Sequence, residues 1–222
     1  MSSIAIFGAG GRAGRAITGE ARERGHRVTA VVRDPRRAGD LAADGISVVQ
    51  GDVTDPHSTS AIVRDHHAVV SAVSPASSPE ALAALGRLDD QFFVDAADAL
   101  LHGMAKAGVP RLVLVGLFAN LEDEHGRLIL DDPASFPEHL RPFALSHTAG
   151  LDRLRTVDTS VDWLMLTPPA MLEAAGPRRG HYRLGGDTVS ASASLSYADL
   201  AVAVIDEIEN PRHHRTRVSI FD

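Results

Sequence analysis

The chain has 222 residues, of which 44% are hydrophobic and 23% charged, with a formal net charge of −7 and no cysteine. The lack of cysteine excludes disulfides and thiolate catalysis and favours a cytoplasmic location. The negative charge argues against nucleic-acid binding, which needs a basic face. No apolar run approaches the ~20 residues of a membrane span, and the N-terminus shows no signal-peptide pattern. We therefore expect a cytoplasmic protein with neither a nucleic-acid nor a membrane partner.

Short apolar runs alternate with helix-like segments along the chain. The runs are continuous and rich in β-branched residues, as expected for strands that are buried on both faces of a parallel sheet. The repeated strand–helix order predicts an α/β fold: a Rossmann-like, doubly wound parallel sheet in a single domain spanning residues 1–222. In chain order, we predict strands at 4–7, 28–32, 46–49, 68–73, 111–115, 161–166 and 217–221, and helices at 12–24, 35–43, 55–64, 80–107, 138–157 and 197–209.

A glycine-rich segment follows the first predicted strand and opens the first predicted helix. Gly8, Gly11 and Gly14 form the pattern G-x-x-G-x-x-G. In a βαβ unit, such glycines allow a tight turn, close approach of the backbone to a pyrophosphate, and close packing of helix on sheet. We predict that these glycines and the intervening Arg12 and Ala13 bind a dinucleotide. The alternative is a tight strand–helix turn without a ligand.

An arginine stands where the second predicted strand ends. Sites for NAD usually carry Asp or Glu there, which binds the ribose hydroxyls. Here Arg33 holds that position, and Arg37 follows it closely. Guanidinium groups match phosphate oxygens bidentately, so Arg33, Arg37 and Arg12 predict binding of the 2′-phosphate and a preference for NADP(H) over NAD(H). The alternative is a solvated charge cluster in which Asp34 binds the ribose of NAD.

The ends of the later strands are expected to complete the cofactor site, because open α/β sheets bind ligands at the carboxyl ends of their strands. Asp52 and Val53 follow the third strand and would lie beside the adenine. The other residues assigned to the cofactor by position are Ser71, Ala72, Val73, Gly116 and Pro168.

Two long segments, 116–138 and 168–195, interrupt the regular alternation after the fifth and sixth strands. Loops of this length in a compact domain are usually functional or disordered. We interpret both as walls of a pocket for a small-molecule acceptor, with surface decoration as the alternative. A turn is expected at 185–187, which reads Gly-Gly-Asp.

Several stretches resemble one protein superfamily, the atypical short-chain dehydrogenases/reductases. They include "IAIFGAGGRAGRAI", "VVRDPRR", "GDVTDP", "GHYRLGGD" and "SYADLAVAVIDEIENP", and together they span nearly the whole chain. The chain looks most like the small NAD(P)H-binding members, among them NmrA-like proteins and flavin reductases similar to biliverdin-IXβ reductase. The resemblance implies a Rossmann domain, bound NADP(H), and a small acceptor over the nicotinamide.

The chain departs from this superfamily in its acid–base residues. Conventional members use a Tyr-x-x-x-Lys pair, but the only lysine, Lys106, has His102 four residues before it. Relatives that carry a histidine after a double proline have it where this chain has Ala170. His147 is a weak candidate proton donor, with a packed helical histidine as the alternative. Adjacent histidines such as His213 and His214 lack the spacing of helical zinc ligands, so no metal site is expected.

These residues lead to two functional hypotheses. The first is an NADPH-dependent oxidoreductase that transfers hydride to a flavin, a quinone or a similar flat acceptor, because such chemistry depends mainly on proximity and stacking. The second is a non-catalytic NADP(H)-binding sensor that, like NmrA-like relatives, acts through a protein partner. The sequence leaves open which acceptor is used and whether the protein is a monomer or a homodimer.

Overall fold

The predicted strands form one central sheet in a computed structural model that describes residues 1–75, 89–188 and 193–222. The strands are β1 (Ser3–Phe7), β2 (Arg27–Val32), β3 (Ile46–Gln50), β4 (Ala68–Ser71), β5 (Arg111–Val115), β6 (Asp162–Thr167), β7 (Met171–Glu173), β8 (Arg183–Leu184), β9 (Ser194–Ser196) and β10 (Thr216–Phe221). The helices are α1 (Arg12–Glu23), α2 (Pro56–Val63), α3 (Phe92–Ala107), α4 (Arg141–Thr156) and α5 (Tyr197–Glu209). Within the described residues, no helix is both long and apolar enough to cross a bilayer.

The described strands of the central sheet follow the order β3-β2-β1-β4-β5-β6-β10-β8. All neighbours are parallel except β8, which pairs antiparallel with β10. Strand β1 lies between β2 and β4. From β1 the chain first adds β2 and β3 on one side and then returns to add β4, β5 and β6 on the other side. This order confirms the predicted doubly wound, Rossmann-like α/β fold. It also places the topological switch point, where such sheets bind ligands, at the carboxyl end of β1.

Both faces of the sheet are covered, which explains the unbroken apolar runs. On one face, Ile4 and Ile6 of β1 pack into a hydrophobic cluster with α1 and α5. On the other face, Ala5 and Phe7 pack into a cluster with α3 and α4. Alternate residues of one strand thus enter opposite layers, as the period of two in a strand requires.

Two of the predicted helices are wrong in part. The segment 35–43 forms two 3-10 turns, Pro35–Arg37 and Gly39–Leu41, because the chain leaves helical geometry at Ala38 (φ −133°) and the following glycine disfavours a helix. Of the helix predicted over 80–107, the described residues 89–91 are not helical. The Asp89 carboxylate accepts from the Gln91 amide at 2.9 Å and its carbonyl accepts from the Phe92 amide at 3.1 Å, which forms a turn before the helix that starts at Phe92. Residues 80–88 of that prediction lie outside the described residues.

Candidate functional site

The glycine-rich loop connects β1 to α1 at the switch point, and two of its glycines are required by packing. Gly8 has a φ of +79°, and a Cβ there would lie 2.5 Å from the Ala72 carbonyl oxygen. A Cβ on Gly14 would lie 2.1 Å from the Gly8 carbonyl oxygen. At Gly11, by contrast, the nearest atom to an added Cβ is 3.4 Å away. Packing within the protein therefore does not require glycine at position 11. The space beside its backbone is open to a ligand.

The N-terminus of α1 is open to an anion. Gly11 caps the helix without a side chain, and the first turn contains no acidic residue. The Gly11 amide donates to the Gly8 carbonyl at 3.0 Å, which folds the loop against the helix start. The first amides of a helix have no intrahelical acceptor, and the helix dipole favours negative charge there. The loop, with Arg12 and Ala13 at the helix start, thus fits the diphosphate of a dinucleotide.

The arginines near this loop fall into two groups, and the first group is paired with carboxylates. Arg15 binds Asp40 at 2.5 Å, and Arg36 binds both carboxylate oxygens of Asp34 at 2.9 and 3.1 Å. The hydrogen bond from Arg36 holds the pKa of Asp34 below its ordinary value. Asp34 is therefore already engaged by its own neighbour.

The second group comprises Arg12, Arg33 and Arg37. All three are exposed, and none forms a salt bridge with any carboxylate in the described part of the chain. Arg33 directly follows β2, and Arg37 lies in the turn beyond it. The guanidinium of Arg12 lies over the ring of Tyr197, 5.5 Å from its centroid. These positive charges at the carboxyl edge of the sheet are available to an anionic ligand.

The residues predicted to lie beside the adenine and ribose follow β3 and β4. The exposed Asp52 carboxylate accepts hydrogen bonds from the amide and hydroxyl of Thr54 at 2.9 and 2.8 Å, while Val53 is buried. Ser71 and Ala72 are buried at the end of β4, next to the glycine loop, and Val73 is half-buried. The predicted residues of this group thus all lie at the ligand edge of the sheet.

A small apolar cavity lies beyond the ends of β4 and β5, under α3 and α4. It has a volume of about 20 Å³, room for about one water molecule. Its lining includes Ser71, Val73, Phe93, Val115 and His147. A flavin or quinone ring cannot fit inside it, so an acceptor would have to lie at its mouth.

His147 is held in this cavity wall in its neutral form. Its ring centroid is 4.4 Å from that of Phe93, and its Nδ1 accepts a hydrogen bond from the Asn120 side-chain amide at 3.3 Å. Burial lowers the pKa of His147 to about 4, although a hydrogen bond with the Val115 backbone acts in the opposite direction. Neutral imidazole is a poor proton donor at pH 7. The geometry therefore does not favour the predicted role of His147 as an acid.

The two long loops meet above the end of the sheet. The Glu122 amide donates to the Asp187 carbonyl at 2.8 Å. Arg217, buried in β10, donates to the Asn120 carbonyl and, at 2.9 Å, to the Asp187 carboxylate. Residues 189–192 of the second loop lie outside the described residues. Sequence reasoning missed Arg217, although a lone arginine within an apolar final strand was an available signal.

Gly116 and Pro168 lie at the ends of the neighbouring strands β5 and β6. The Gly116 amide donates to the Leu166 carbonyl at 2.8 Å, and a Cβ at Gly116 would lie 2.2 Å from the Thr167 hydroxyl. Pro168 is buried directly after β6. Both residues therefore lie at the carboxyl edge, on the side of the sheet where the long loops begin.

Comparison with known proteins places this site in a family. Residues 8–211 match the model of a family described as NAD(P)H-binding. YwnB of Bacillus subtilis is 35% identical over 222 residues, which cover 98% of this chain and 97% of YwnB. The protein therefore belongs to the NAD(P)H-binding family, and its glycine loop lies where a Rossmann fold holds a nicotinamide cofactor.

Solved structures show the same fold over the whole chain. A candidate exported protein from Burkholderia pseudomallei is 32% identical with a TM-score of 0.83. The match covers 100% of this chain and 100% of that chain. A candidate NADH-flavin reductase from Streptococcus pneumoniae is 28% identical with a TM-score of 0.79, again with both chains fully covered. The chain is thus similar to oxidoreductase-like members of the family.

Proposed function

We propose that the protein is an NADPH-dependent oxidoreductase that transfers hydride to a flavin, a quinone or a similarly flat acceptor. The reduced nicotinamide supplies the hydride when it is bound, and the chain's own residues bind, orient and shield the reactants. The observation that carries the proposal is a glycine loop whose helix N-terminus is open to an anion, next to an apolar wall in which the buried His147 is neutral.

The preference for NADPH is supported by how the charges after β2 are arranged. Arg33 and Arg37 form no salt bridge with a carboxylate among the described residues, and Arg37 acts on Asp34 only through its charge, whereas Arg36 binds Asp34 directly. A 2′-phosphate would give the free guanidinium groups a partner. The bonds from Arg36 partly neutralise the Asp34 carboxylate and so make it a weaker acceptor for the ribose hydroxyls of NADH. Both features favour NADPH.

The choice of acceptor is supported by the apolar wall, because none of the described residues that line it is a carboxylic acid, a tyrosine or a protonated histidine. Reduction of a ketone requires a proton donor at the reacting oxygen, the role of the tyrosine in conventional relatives. Here His147 is neutral, and both tyrosines lie elsewhere: Tyr182 binds Asp206, and Tyr197 lies under Arg12. A conjugated acceptor spreads the incoming charge over its rings and can take its proton from water. Phe93, Val73 and Val115 offer apolar surface for such a ring at the cavity mouth.

The proposal is tested by following NADPH oxidation with FMN, with a small quinone and with a simple ketone as control. We expect turnover with FMN or the quinone, no turnover with the ketone, and equal rates for wild type and His147→Gln between about pH 6 and about pH 8. Loss of activity in His147→Gln, with NADPH still bound, would instead identify the histidine as the acid.

The alternative function is a non-catalytic NADP(H) sensor, and the same experiment separates the two. Tight binding of NADPH without its oxidation by any acceptor would contradict the oxidoreductase and support a sensor acting through a protein partner. The S. pneumoniae structure, named as a candidate NADH-flavin reductase, supports the catalytic choice.

A further inference from the structure

The contact between Arg12 and Tyr197 joins two elements that are remote in sequence. Arg12 is the first residue of α1, directly after Gly11, and its exposed guanidinium lies 5.5 Å from the centre of the Tyr197 ring. Tyr197 is the first residue of α5. A cation at this distance over an aromatic face is attracted by the ring quadrupole.

Tyr197 provides a fixed platform for this contact. Its side chain packs against the hydrophobic cluster between α1, α5 and the sheet. The start of α5 is held by a reciprocal cap in which the Ser196 hydroxyl accepts from the Asp199 amide and donates to the Asp199 carboxylate, both at 2.9 Å. The other oxygen of that buried carboxylate accepts from the amides of Arg179 and Gly180. The ring is therefore held in place before any ligand binds.

The platform lies on the opposite side of the glycine loop from Arg33. Helix α1 packs on β1 and β2 and against α5, while α5 packs on β5. Because β4 and β5 are on the far side of β1 from β2, Tyr197 holds Arg12 toward the β4 and β5 side. Arg33 and Arg37 follow β2 instead. The sequence prediction that all three arginines bind one phosphate does not account for this separation.

We propose that Tyr197 is a positioning residue that holds Arg12 over the diphosphate, so that Arg12 binds oxygens that NADH and NADPH share. Arg12 then contributes affinity for both cofactors and takes no part in choosing between them. Selection is left to Arg33 and Arg37 on the other side of the loop. This inference rests on the proposed cofactor site.

Calorimetric titration with NADH and with NADPH tests the inference. Arg12→Ala should lower the affinity for NADH and for NADPH equally, by about tenfold or more, because a charge-assisted hydrogen bond is lost. Tyr197→Leu should lower both affinities by about two- to fivefold, because this fold-change corresponds to the free energy of a cation–π contact at an exposed site. Tyr197→Phe keeps the ring and should bind like the wild type.

A double variant distinguishes positioning from a structural role. In the Arg12→Ala background, Tyr197→Leu should have no further effect on affinity, since the ring acts only through the guanidinium. Tyr182→Leu is the matched control, because Tyr182 packs against the same cluster and does not touch Arg12. We expect it to leave both affinities unchanged, with folding of every variant verified by circular dichroism and thermal midpoint.

Three results would overturn the inference. If Arg12→Ala lowered the affinity for NADPH only, Arg12 would be shown to bind the 2′-phosphate. An equal loss from Tyr197→Leu in both backgrounds would show a structural role only. A wild type that binds neither cofactor would refute the cofactor site itself, and this inference with it. Arg33→Ala could retain the preference for NADPH while Arg12→Ala lowers the affinity for both cofactors. That result would refute the proposed selection of NADPH by Arg33 and would leave the proposed role of Arg12 and Tyr197 intact.

Discussion

Single residues of the glycine loop have different physical requirements, although all are glycine. Gly8 needs its positive φ and the close approach of Ala72, and Gly14 needs the close approach of the Gly8 carbonyl. Gly11 has no such requirement from the protein. Gly8 and Gly14 are therefore needed to form the turn, whereas Gly11 is the glycine that we assign to ligand binding.

Substitution at these glycines should separate folding from binding. We expect Gly11→Val to change the free energy of unfolding by no more than about 1 kcal/mol, since only a helix-capping preference is affected. Its NADPH affinity should fall by at least about tenfold, because a branched side chain occupies the space where backbone meets phosphate. Gly14→Val should instead lose about 3 kcal/mol or more of stability, because its clash is with backbone.

Urea unfolding and NADPH titration of the two variants provide the measurement. A folded Gly11→Val that binds NADPH as tightly as the wild type would refute the assignment of Gly11 to the diphosphate.

The buried histidine should make stability depend on pH. Burial lowers the pKa of His147 to about 4, below its value near 6.5 in the unfolded chain, so between these values the unfolded state binds more protons. Stability due to His147 is thus complete above about pH 6.5 and is lost as the pH falls toward 4, by on the order of 3 kcal/mol. Urea unfolding of wild type and His147→Gln at several pH values isolates this contribution. We expect the wild type to lose more stability on acidification than the variant, and parallel losses would contradict the neutral, buried ring.

At the scale of elements, strands were easier to predict than helix boundaries. The β5 strand and the α5 helix fall at their predicted residues, because apolar runs and a Ser cap define them within a few residues of sequence. The helix predicted at 35–43 is divided into two 3-10 turns at Ala38 and Gly39, and the described residues 89–91 of the helix predicted at 80–107 form a turn. Local backbone geometry of this kind is not visible in hydrophobic periodicity.

The two long loops should respond to ligand as one unit. Arg217 of β10 donates to the Asn120 carbonyl and pairs with the half-exposed Asp187 carboxylate, so one side chain connects the 116–138 and 168–188 segments. If they enclose the acceptor, NADPH together with FMN should slow amide hydrogen exchange in both segments. Unchanged exchange in both loops, with cofactor demonstrably bound, would contradict their role as pocket walls.

At the scale of the whole molecule, the fold was predictable from the sequence and part of the site was not. The order of strands and helices, with glycines after the first strand, is enough to define a doubly wound sheet and its ligand edge. The contacts that arrange the site join distant segments, as in the pairs Arg12–Tyr197 and Asn120–His147. The protonation state of His147 likewise depends on burial, which only the folded chain determines.

Charge over the whole molecule bears on cofactor choice. The protein is acidic, with a net charge of −7, yet Arg33 and Arg37 at the end of β2 form no salt bridge with a carboxylate among the described residues. An acidic protein repels an anionic cofactor at long range, so local positive charge must supply the attraction. We expect this local charge to select NADPH.

Calorimetric titration of the wild type and Arg33→Ala with NADPH and NADH measures this selection. A charge-assisted hydrogen bond contributes about 1.5–3 kcal/mol, so the wild type should bind NADPH roughly ten- to a hundredfold more tightly than NADH. Arg33→Ala should lose most of that difference through weaker NADPH binding, with NADH affinity nearly unchanged. Tighter binding of NADH by the wild type would contradict this selectivity and show that Asp34 binds the ribose.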